Sequence, residues 1–387
     1  MSSKSAHKYG LSIEILSKSS NLQIEEGIHP PELFDLTSKL LIANPEYYTV
    51  WNYRRSLVQR QLKQFEPSSR PSEDSLRQDG KNDSPHTSNP TSDPPNADEE
   101  RCAEILNLIQ SDLSFLLPLL RKFPKCYWLW NYRLWLLSTA TSCLPPPTSH
   151  NLWQQELALV GKMLSLDSRN FHGWGYRRTV VAALELGQPI TEKKSMAEQE
   201  FDYTTKMISN NLSNFSAWHN RSKLIPKMLD ERQASKQERT GMLDAELKMV
   251  QRALWADAED QSLWFYHLVL CCAFSDEVRY RDQSITPELS VEERLGYLSK
   301  EIEGLTDMLD GAEDCKWIYQ RLIELCIMYR EQAGVWVDGV GEAKVLEWVE
   351  ELKKLDPLRL GRWKDLGKTL REKYGGTSPI ARLETQV

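Results

Sequence analysis

The sequence predicts an all-α fold built from helical hairpins that repeat along the chain. One observation is a recurrent pattern in which an Asn or Asp precedes a Trp by seven residues and an Arg or His follows the Trp by three, with Phe123 in the Asn/Asp place of the second copy. Another is the spacing, because the successive tryptophans of this pattern lie 79, 44, 44 and 46 residues apart. A period of this length is typical of repeat arrays. The five tryptophans are Trp51, Trp130, Trp174, Trp218 and Trp264.

The long first interval is explained by an insertion. Residues 65–100 hold only three hydrophobic residues and six prolines. Such a segment cannot bury enough apolar surface to offset its chain entropy, so we expect it to be disordered. Without these 36 residues the first interval becomes 43. We therefore interpret the segment as a neutral loop between repeats, although its Ser and Thr content leaves open a partner-binding or phosphorylated loop.

Each repeat is predicted to contain two helices. An acidic residue lies eleven positions before the Asn/Asp site in four copies, and apolar residues follow it at helical spacing. The Asn/Asp step then ends the first helix and starts the second. In the second helix the Trp, the aromatic residue three before it and the residue seven after it share one face, while a Tyr two after the Trp points to the other side. This pattern predicts an inner helix covered on two sides. The acids are Asp112, Glu156, Glu200 and Glu246, and the aromatic residues are Tyr48, Tyr127, Phe171 and Phe215.

The pattern continues in weaker form toward the C-terminus. Trp317 and Trp363 each follow an Asp by seven residues, but Gln320 and Leu366 stand where the other repeats carry Arg or His. Terminal repeats are expected to be atypical. The predicted organisation is an N-terminal extension over 1–30, a solenoid of five clear and two degenerate repeats over 31–375, and a C-terminal tail over 376–387.

Composition limits the class of protein. The net charge is −7 and no basic run occurs, which argues against nucleic-acid binding. The N-terminus lacks the apolar core of a signal peptide, and we identified no run of 18 apolar residues for a transmembrane segment. None of the seven cysteines forms a CxxC pair. These features predict a cytoplasmic protein with reduced thiols and no metal or cofactor bound by this chain.

Candidate functional residues are those at which one repeat differs from the others. The recurrent Arg three after the Trp is interpreted as structural, either in an ion pair, with the recurrent acid as a possible partner, or in a carbonyl contact with the preceding helix. Lys125 and His172 differ from their counterparts and come from consecutive repeats, near the start of the second helix. They could converge on one anionic ligand, because Lys offers a positive charge and His a hydrogen bond.

The repeated pattern Asn/Asp-Pro-x-x-Tyr-x-x-Trp-x-x-Arg resembles the α-subunit repeat of the protein prenyltransferases over about residues 33–370. The copies ANPEYYTVWNYRR, NLSNFSAWHNRS and DAEDQSLWFYH resemble the Rab geranylgeranyltransferase branch more than the α subunit shared by farnesyltransferase and type I geranylgeranyltransferase. The resemblance implies a right-handed α-α superhelix, a crescent of hairpins that wraps a β subunit.

The resemblance also implies a function. A geranylgeranyl group would pass from geranylgeranyl diphosphate to C-terminal cysteines of Rab GTPases, which a Rab escort protein delivers. The β subunit would hold zinc and the isoprenoid. The motif PKCYWLW would supply Lys125 and Tyr127 near the diphosphate, and RNFHGW would supply His172. Two alternatives remain open: the α subunit shared by the CaaX enzymes, and a helical-repeat scaffold without catalytic activity.

Overall fold

The computed structural model describes residues 30–65, 97–188, 194–281 and 284–375. In these ranges the chain forms α-helices and two short 3-10 helices, Cys272–Phe274 and Pro357–Arg359, and no strand. The predicted all-α fold of helical hairpins is confirmed. The α-helices are α1 (Pro30–Ala43), α2 (Tyr48–Gln64), α3 (Ala97–Lys122), α4 (Tyr127–Cys143), α5 (Pro146–Leu166), α6 (Phe171–Leu186), α7 (Ala197–Asn210), α8 (Phe215–Glu231), α9 (Lys236–Ala256), α10 (Gln261–Cys271), α11 (Val278–Arg281), α12 (Val291–Leu309), α13 (Lys316–Ala333), α14 (Glu342–Leu355) and α15 (Leu360–Tyr374).

The chain divides into two compact units, Met1–Lys194 and Ser195–Val387. In the first unit three hairpins follow one another: α1 with α2, α3 with α4, and α5 with α6. In the second unit the hairpins are α7 with α8, α9 with α10, α12 with α13, and α14 with α15. The second helices of neighbouring repeats also contact each other, α2 with α4 and α4 with α6 in the first unit, and α8 with α10 in the second.

The repeated Trp connects its helix to the turn that precedes it. Each of the five indole rings is at most 3% exposed. Its Nε1–H donates a hydrogen bond to the carbonyl oxygen six residues earlier, so the ring both fills the core and satisfies a turn carbonyl. This bond explains the fixed spacing within the pattern. The pairs are Trp51 with Pro45 (2.8 Å), Trp130 with Pro124 (2.8 Å), Trp174 with Ser168 (2.9 Å), Trp218 with Leu212 (2.7 Å) and Trp264 with Ala258 (2.6 Å).

The recurrent acid joins two repeats. Arg54 Nε donates to Asp112 Oδ1 at 3.0 Å, although Arg54 belongs to the first repeat and Asp112 to the second. Tyr132, in the same repeat as Asp112, donates its hydroxyl to Asp112 Oδ2 at 2.5 Å. Arg54 also donates through Nη1 to the Phe34 carbonyl of its own preceding helix. The structural interpretation of this Arg is therefore confirmed, and the acid it binds comes from the following repeat.

The same joint recurs in both units. Arg133 Nη2 donates to Glu156 Oε2 at 2.7 Å, and Tyr176 donates to Glu156 Oε1 at 2.6 Å. In the second unit Arg221 Nη2 donates to Glu246 Oε1 at 2.6 Å, and Tyr266 to Glu246 Oε2 at 2.5 Å. Burial, and then the adjacent carboxylates, raise the pKa of all three tyrosines (Tyr132, Tyr176 and Tyr266) well above its usual value, so they remain protonated donors.

The sixth repeat is displaced by two residues from the predicted position. Its buried ring is Tyr319, which is 6% exposed and donates its hydroxyl to the Glu313 carbonyl, six residues earlier, at 3.0 Å. Helix α13 begins three residues before Tyr319, as the other second helices begin three residues before their Trp. The assignment of Trp317 to this position is wrong. The corrected register makes Glu301 a fifth recurrent acid, and it binds His267 of the fifth repeat, with 3.0 Å between Nε2 and Oε2.

The aromatic residues three before the Trp are not covered. Tyr48, Tyr127, Phe171 and Phe215 are 56, 50, 77 and 46% exposed. The prediction that they share a buried face with the Trp is wrong, because each is the first residue of its second helix, where neighbouring rings cover it only in part. Four of the five residues seven after the Trp are buried; the fifth, Val181, is half-buried.

Most of the predicted extension 1–30 (residues 1–29), most of the predicted insertion 65–100 (residues 66–96) and the whole predicted tail 376–387 lie outside the described residues. Helix α3 begins at Ala97, so the last four residues of the predicted insertion are helical. By length and composition alone, Asp98–Lys122 of α3 could cross a membrane. This helix instead forms a hairpin with α4 and places Asp112 in the buried ion pair with Arg54, as the first helix of a repeat does.

Candidate functional site

The three predicted site residues lie where the second helices of the second and third repeats begin. Lys125 is exposed and occupies the turn between α3 and α4. Tyr127 is the first residue of α4 and His172 the second residue of α6. The structure brings Tyr127 and His172 together, with 6.1 Å between their ring centroids and an interplanar angle of 56°.

The turn that carries Lys125 is held from several sides. The Pro124 carbonyl accepts the Trp130 indole N–H at 2.8 Å and Asn170 Nδ2 at 3.0 Å. Asn170 is also the N-cap of α6, since its Oδ1 accepts the Gly173 backbone N–H at 3.0 Å. One side chain therefore fixes the turn before α4 relative to the start of α6, the helix that carries His172.

The same turn is connected to the first repeat. Cys126, the residue after Lys125, is buried and directs its Sγ at the Pro45 carbonyl, 3.5 Å away. Burial raises the pKa of Cys126 to about 11, so the thiol is a protonated donor at neutral pH. The backbone that positions Lys125 and Tyr127 is thus fixed by contacts with repeats on both sides.

An aromatic row runs along these helix starts in the first unit, with three exposed members (Tyr48, Tyr127 and Phe171) and two half-buried ones (Trp128 and His172). Tyr48 lies 5.7 Å from Trp128, Trp128 lies 5.2 Å from Tyr127, and Phe171 lies 5.7 Å from His172, all between ring centroids. With the contact between Tyr127 and His172, the aromatic row extends across three repeats. Its members are Tyr48, Trp128, Tyr127, His172 and Phe171.

The site can bind an anion without a protein nucleophile. Lys125 supplies a positive charge, and the N-terminal turn of α4 adds the partial positive charge of unpaired backbone N–H groups. The Tyr127 hydroxyl and the His172 ring can each donate a hydrogen bond. A phosphate or diphosphate group fits this chemistry better than a neutral ligand does.

Two neighbouring side chains were missed at the sequence level. Asn131 donates from Nδ2 to the Tyr127 hydroxyl oxygen at 3.2 Å. Arg55, from the first repeat, donates from Nη2 to Asn131 Oδ1. The position after the Trp varies freely among the repeats (Asn52, Asn131, Gly175, His219, Phe265), and so does the position four after it (Arg55, Leu134, Arg178, Ser222, Leu268). The sequence at these two positions therefore does not distinguish Asn131 or Arg55 from their counterparts in the other repeats.

A metal site is not evident in the part of the chain that the structure describes. Within those ranges no three His, Cys, Asp or Glu side chains are grouped as metal ligands would be. The zinc that the resemblance implies for a β subunit stays a prediction.

Comparison with known sequences identifies the hairpins. The sequence model of the family described as "Protein prenyltransferase alpha subunit repeat" matches residues 30–61, 109–140, 153–184 and 197–228. Each of these segments lies within one of the first four hairpins. The chain belongs to the protein prenyltransferase alpha-subunit family.

Curated relatives of this prenyltransferase alpha-subunit chain share one name. The "Geranylgeranyl transferase type-2 subunit alpha" of Saccharomyces cerevisiae is 36% identical over 242 residues, 62% of this chain and 59% of that protein. The Candida albicans protein of the same name is 34% identical over 134 residues, 35% of this chain and 26% of the relative. The Dictyostelium discoideum protein is 26% identical over 343 residues, 88% of this chain and 86% of the relative. The first two matches thus span less than two thirds of the relative's length.

A solved structure has the same fold. A chain of "Candida albicans protein geranylgeranyltransferase-I complexed with GGPP" superposes with a TM-score of 0.57 at 17% sequence identity. The match covers 94% of the present chain and 91% of the chain in the solved structure. This likeness supports the all-α repeat fold that the sequence predicts.

Proposed function

We propose that this chain is the α subunit of a heterodimeric Rab geranylgeranyltransferase. The enzyme transfers a geranylgeranyl group from geranylgeranyl diphosphate to C-terminal cysteines of Rab GTPases. Support comes from the curated relatives described above, which are named type-2 alpha subunits. The fold-level neighbour is named as a type I enzyme, but at 17% identity it informs the fold and not the choice of branch.

The observation that carries the proposal is the contact between Tyr127 and His172 beside the anchored Lys125 turn. Two hydrogen-bond donors from consecutive repeats lie 6.1 Å apart between ring centroids. The Asn170 bridge to Pro124 couples the backbone of the two helix starts. This arrangement suits a diphosphate, which presents several oxygens to donors arranged along one surface.

The proposed chemistry is electrostatic. As the bond between the allylic carbon and the diphosphate oxygen breaks and the cysteine sulfur bonds to that carbon, negative charge grows on the departing pyrophosphate. Preorganised positive charge and donors stabilise that charge more than they stabilise the bound substrate. Lys125 is the main electrostatic group, and Tyr127 and His172 donate hydrogen bonds. Zinc in the β subunit would activate the acceptor thiol.

The proposed partners are a prenyltransferase β subunit, a Rab escort protein and Rab GTPases, in the cytoplasm. The exposed members of the aromatic row support a protein partner on this surface. An exposed row of rings such as Phe171, at 77% exposure, is typical of surfaces that contact another protein. We place the β subunit against these helix starts, so that Lys125 and His172 face its isoprenoid pocket.

Coexpression with candidate β subunits tests the proposal. The chain is produced with the β subunit of each prenyltransferase class, and prenyl transfer to a Rab GTPase is measured with and without escort protein. Transfer that needs both the type-2 β subunit and the escort protein is the expected result. Activity on a CaaX peptide without escort protein would instead identify the shared α subunit of the CaaX enzymes. Failure to copurify with any β subunit would indicate a scaffold.

A further inference from the structure

A short relay of two polar side chains, Arg55 and Asn131, reaches the Tyr127 hydroxyl. Arg55 Nη2 donates to Asn131 Oδ1, and Asn131 Nδ2 donates to the Tyr127 hydroxyl oxygen at 3.2 Å. Arg55 comes from α2 and the other two residues from α4, so the relay crosses from the first repeat to the second.

The direction of these hydrogen bonds is fixed by Arg55. A guanidinium has donors and no acceptor, so Asn131 must turn its carbonyl oxygen toward Arg55. The amide nitrogen of Asn131 then faces Tyr127 and can only donate. The Tyr127 hydroxyl therefore accepts from Asn131, and its own proton stays available for a second hydrogen bond.

Arg55 is well placed to hold this direction. Its guanidinium carbon lies 5.8 Å from the Tyr132 ring centroid and 5.6 Å from the Trp135 ring centroid, which restricts its orientation. Its Nε is buried without a hydrogen-bond partner within the described residues. Burial lowers the pKa of Arg55, and the nearby Tyr132 and Tyr127 oppose that effect. Arginine nevertheless keeps its proton at neutral pH.

We propose that Arg55 and Asn131 are positioning residues that present the Tyr127 proton to the leaving diphosphate. The inference rests on the proposed function, since Tyr127 acts there as a donor. A chain of hydrogen bonds that begins at a cation also polarises its members and strengthens the terminal donor. The relay adds no covalent step, because it only orients a proton that Tyr127 already carries.

The substitution Asn131→Asp tests the direction of the relay. It keeps the shape of the side chain and keeps an acceptor for Arg55, but it replaces the donor that faces Tyr127 with an acceptor. Tyr127 then donates its proton to the new carboxylate instead of to the substrate. We expect Asn131→Asp to lower kcat of the heterodimer about as much as Tyr127→Phe does, roughly tenfold or more. The double variant should be no slower than Tyr127→Phe alone.

Two further variants act as controls. Asn52→Asp makes the same chemical change one residue after the Trp of the first repeat, where the side chain is exposed, and it should leave kcat unchanged. Arg55→Met removes the group that orients Asn131 and should lower kcat, again without an added effect in the Tyr127→Phe background. Arg55→Lys keeps a donor and a charge and should restore part of the rate.

The outcomes separate the relay from the proposed function. If the wild-type heterodimer transfers the lipid and Tyr127→Phe slows it, a normal kcat for Asn131→Asp, or a further loss in the double variant, overturns the relay. If the wild-type heterodimer has no transferase activity, the proposed function fails instead.

In that case the relay is tested by a measurement that does not depend on catalysis. The side-chain amide NMR signals of Asn131 in the full chain should shift, and exchange faster, in both Arg55→Met and Tyr127→Phe. Amide signals that neither variant alters would overturn the relay whatever the activity.

Discussion

Arg54 and Asp112 lie 58 residues apart in the sequence, yet they form an ion pair in which each side chain is only 4% exposed. Asp112 is thereby bound by the first repeat through Arg54 and by its own repeat through Tyr132. The same three-part joint recurs with other residues, so it is a general means of connecting one hairpin to the next.

Asp112→Asn should destabilise the fold by about 3–5 kcal/mol, because a buried guanidinium loses its counter-charge. Urea unfolding followed by circular dichroism measures this free energy. Asp98→Asn on the same helix is the matched control, since the Asp98 side chain is 88% exposed in its pair with Arg101. We expect the control to change the free energy of unfolding by less than about 0.5 kcal/mol. Equal losses in the two variants would contradict the structural role of the joint.

The buried pair of His267 and Glu301 predicts a pH dependence of stability. Burial is the largest influence on His267 and lowers its pKa, although Glu301 acts in the opposite direction. Below a pH of about 6.5 the unfolded chain binds a proton that the folded chain does not, so stability falls as pH falls, by up to about 1.4 kcal/mol per pH unit.

Urea unfolding at pH 7.5, 6.5 and 5.5 measures the slope. His267→Gln should reduce it, and His150→Gln, which alters a partly exposed histidine, should not. A slope that survives in His267→Gln would assign the pH dependence to other groups.

Tyr319→Ala should cost about 3–5 kcal/mol, as expected for the loss of a large buried ring. Trp317→Ala should cost only about 1 kcal/mol, because the Trp317 side chain is partly exposed. Thermal or denaturant unfolding of both variants compares them directly. The opposite order would restore the Trp317 register that the sequence pattern suggests.

Lys125→Ala should lower kcat of the heterodimer by about 10²-fold while the two subunits still copurify, because the lysine is exposed and acts on charge in the transition state. Lys162→Ala, an exposed lysine on α5, is the control. Unchanged turnover in a well-folded Lys125→Ala complex would refute the proposed role.

The cysteines should differ sharply in reactivity toward a thiol reagent at pH 8. Cys143 is exposed and should react first. Cys126, Cys315 and Cys326 are buried, and burial raises their pKa to about 11, 11 and 12, so they should react only when the chain unfolds. The time course of reagent release, compared with that of Cys143→Ser, tests this order. Rapid reaction of any thiol other than the exposed Cys143 and the half-buried Cys102 and Cys272 would contradict the packing.

Much of the fold follows from periodicity in the sequence, but the partners of the repeated residues do not. The period and the two-helix repeat were predictable because a buried Trp recurs at fixed spacing. The sequence could not show that Asp112 binds an Arg of the previous repeat, since a periodic pattern looks the same within and between repeats. The sequence pattern points to Trp317 because the other repeats carry Trp at the buried position. In the sixth repeat the start of α13 places Tyr319 at that position instead.

The candidate site was likewise only partly predictable from the sequence. Lys125 and His172 stand out because they differ from the residues at the same position in other repeats, and the family resemblance adds Tyr127. Asn131 and Arg55 do not stand out, because the residues at these two positions vary among the repeats and the same residue types recur at Asn52 and Arg178. Their importance depends on the direction of two hydrogen bonds, which only coordinates reveal.

Each of these buried acids is bound by side chains of two repeats, and this affects how the hairpins unfold. When the first hairpin detaches, it takes Arg54 with it and leaves Asp112 without a cation, still enclosed by the second repeat. The second repeat then becomes less stable in its turn, and the same argument applies to Glu156 once Arg133 moves. Loss of structure should therefore spread from hairpin to hairpin within the first unit, and partly frayed intermediates should be rare.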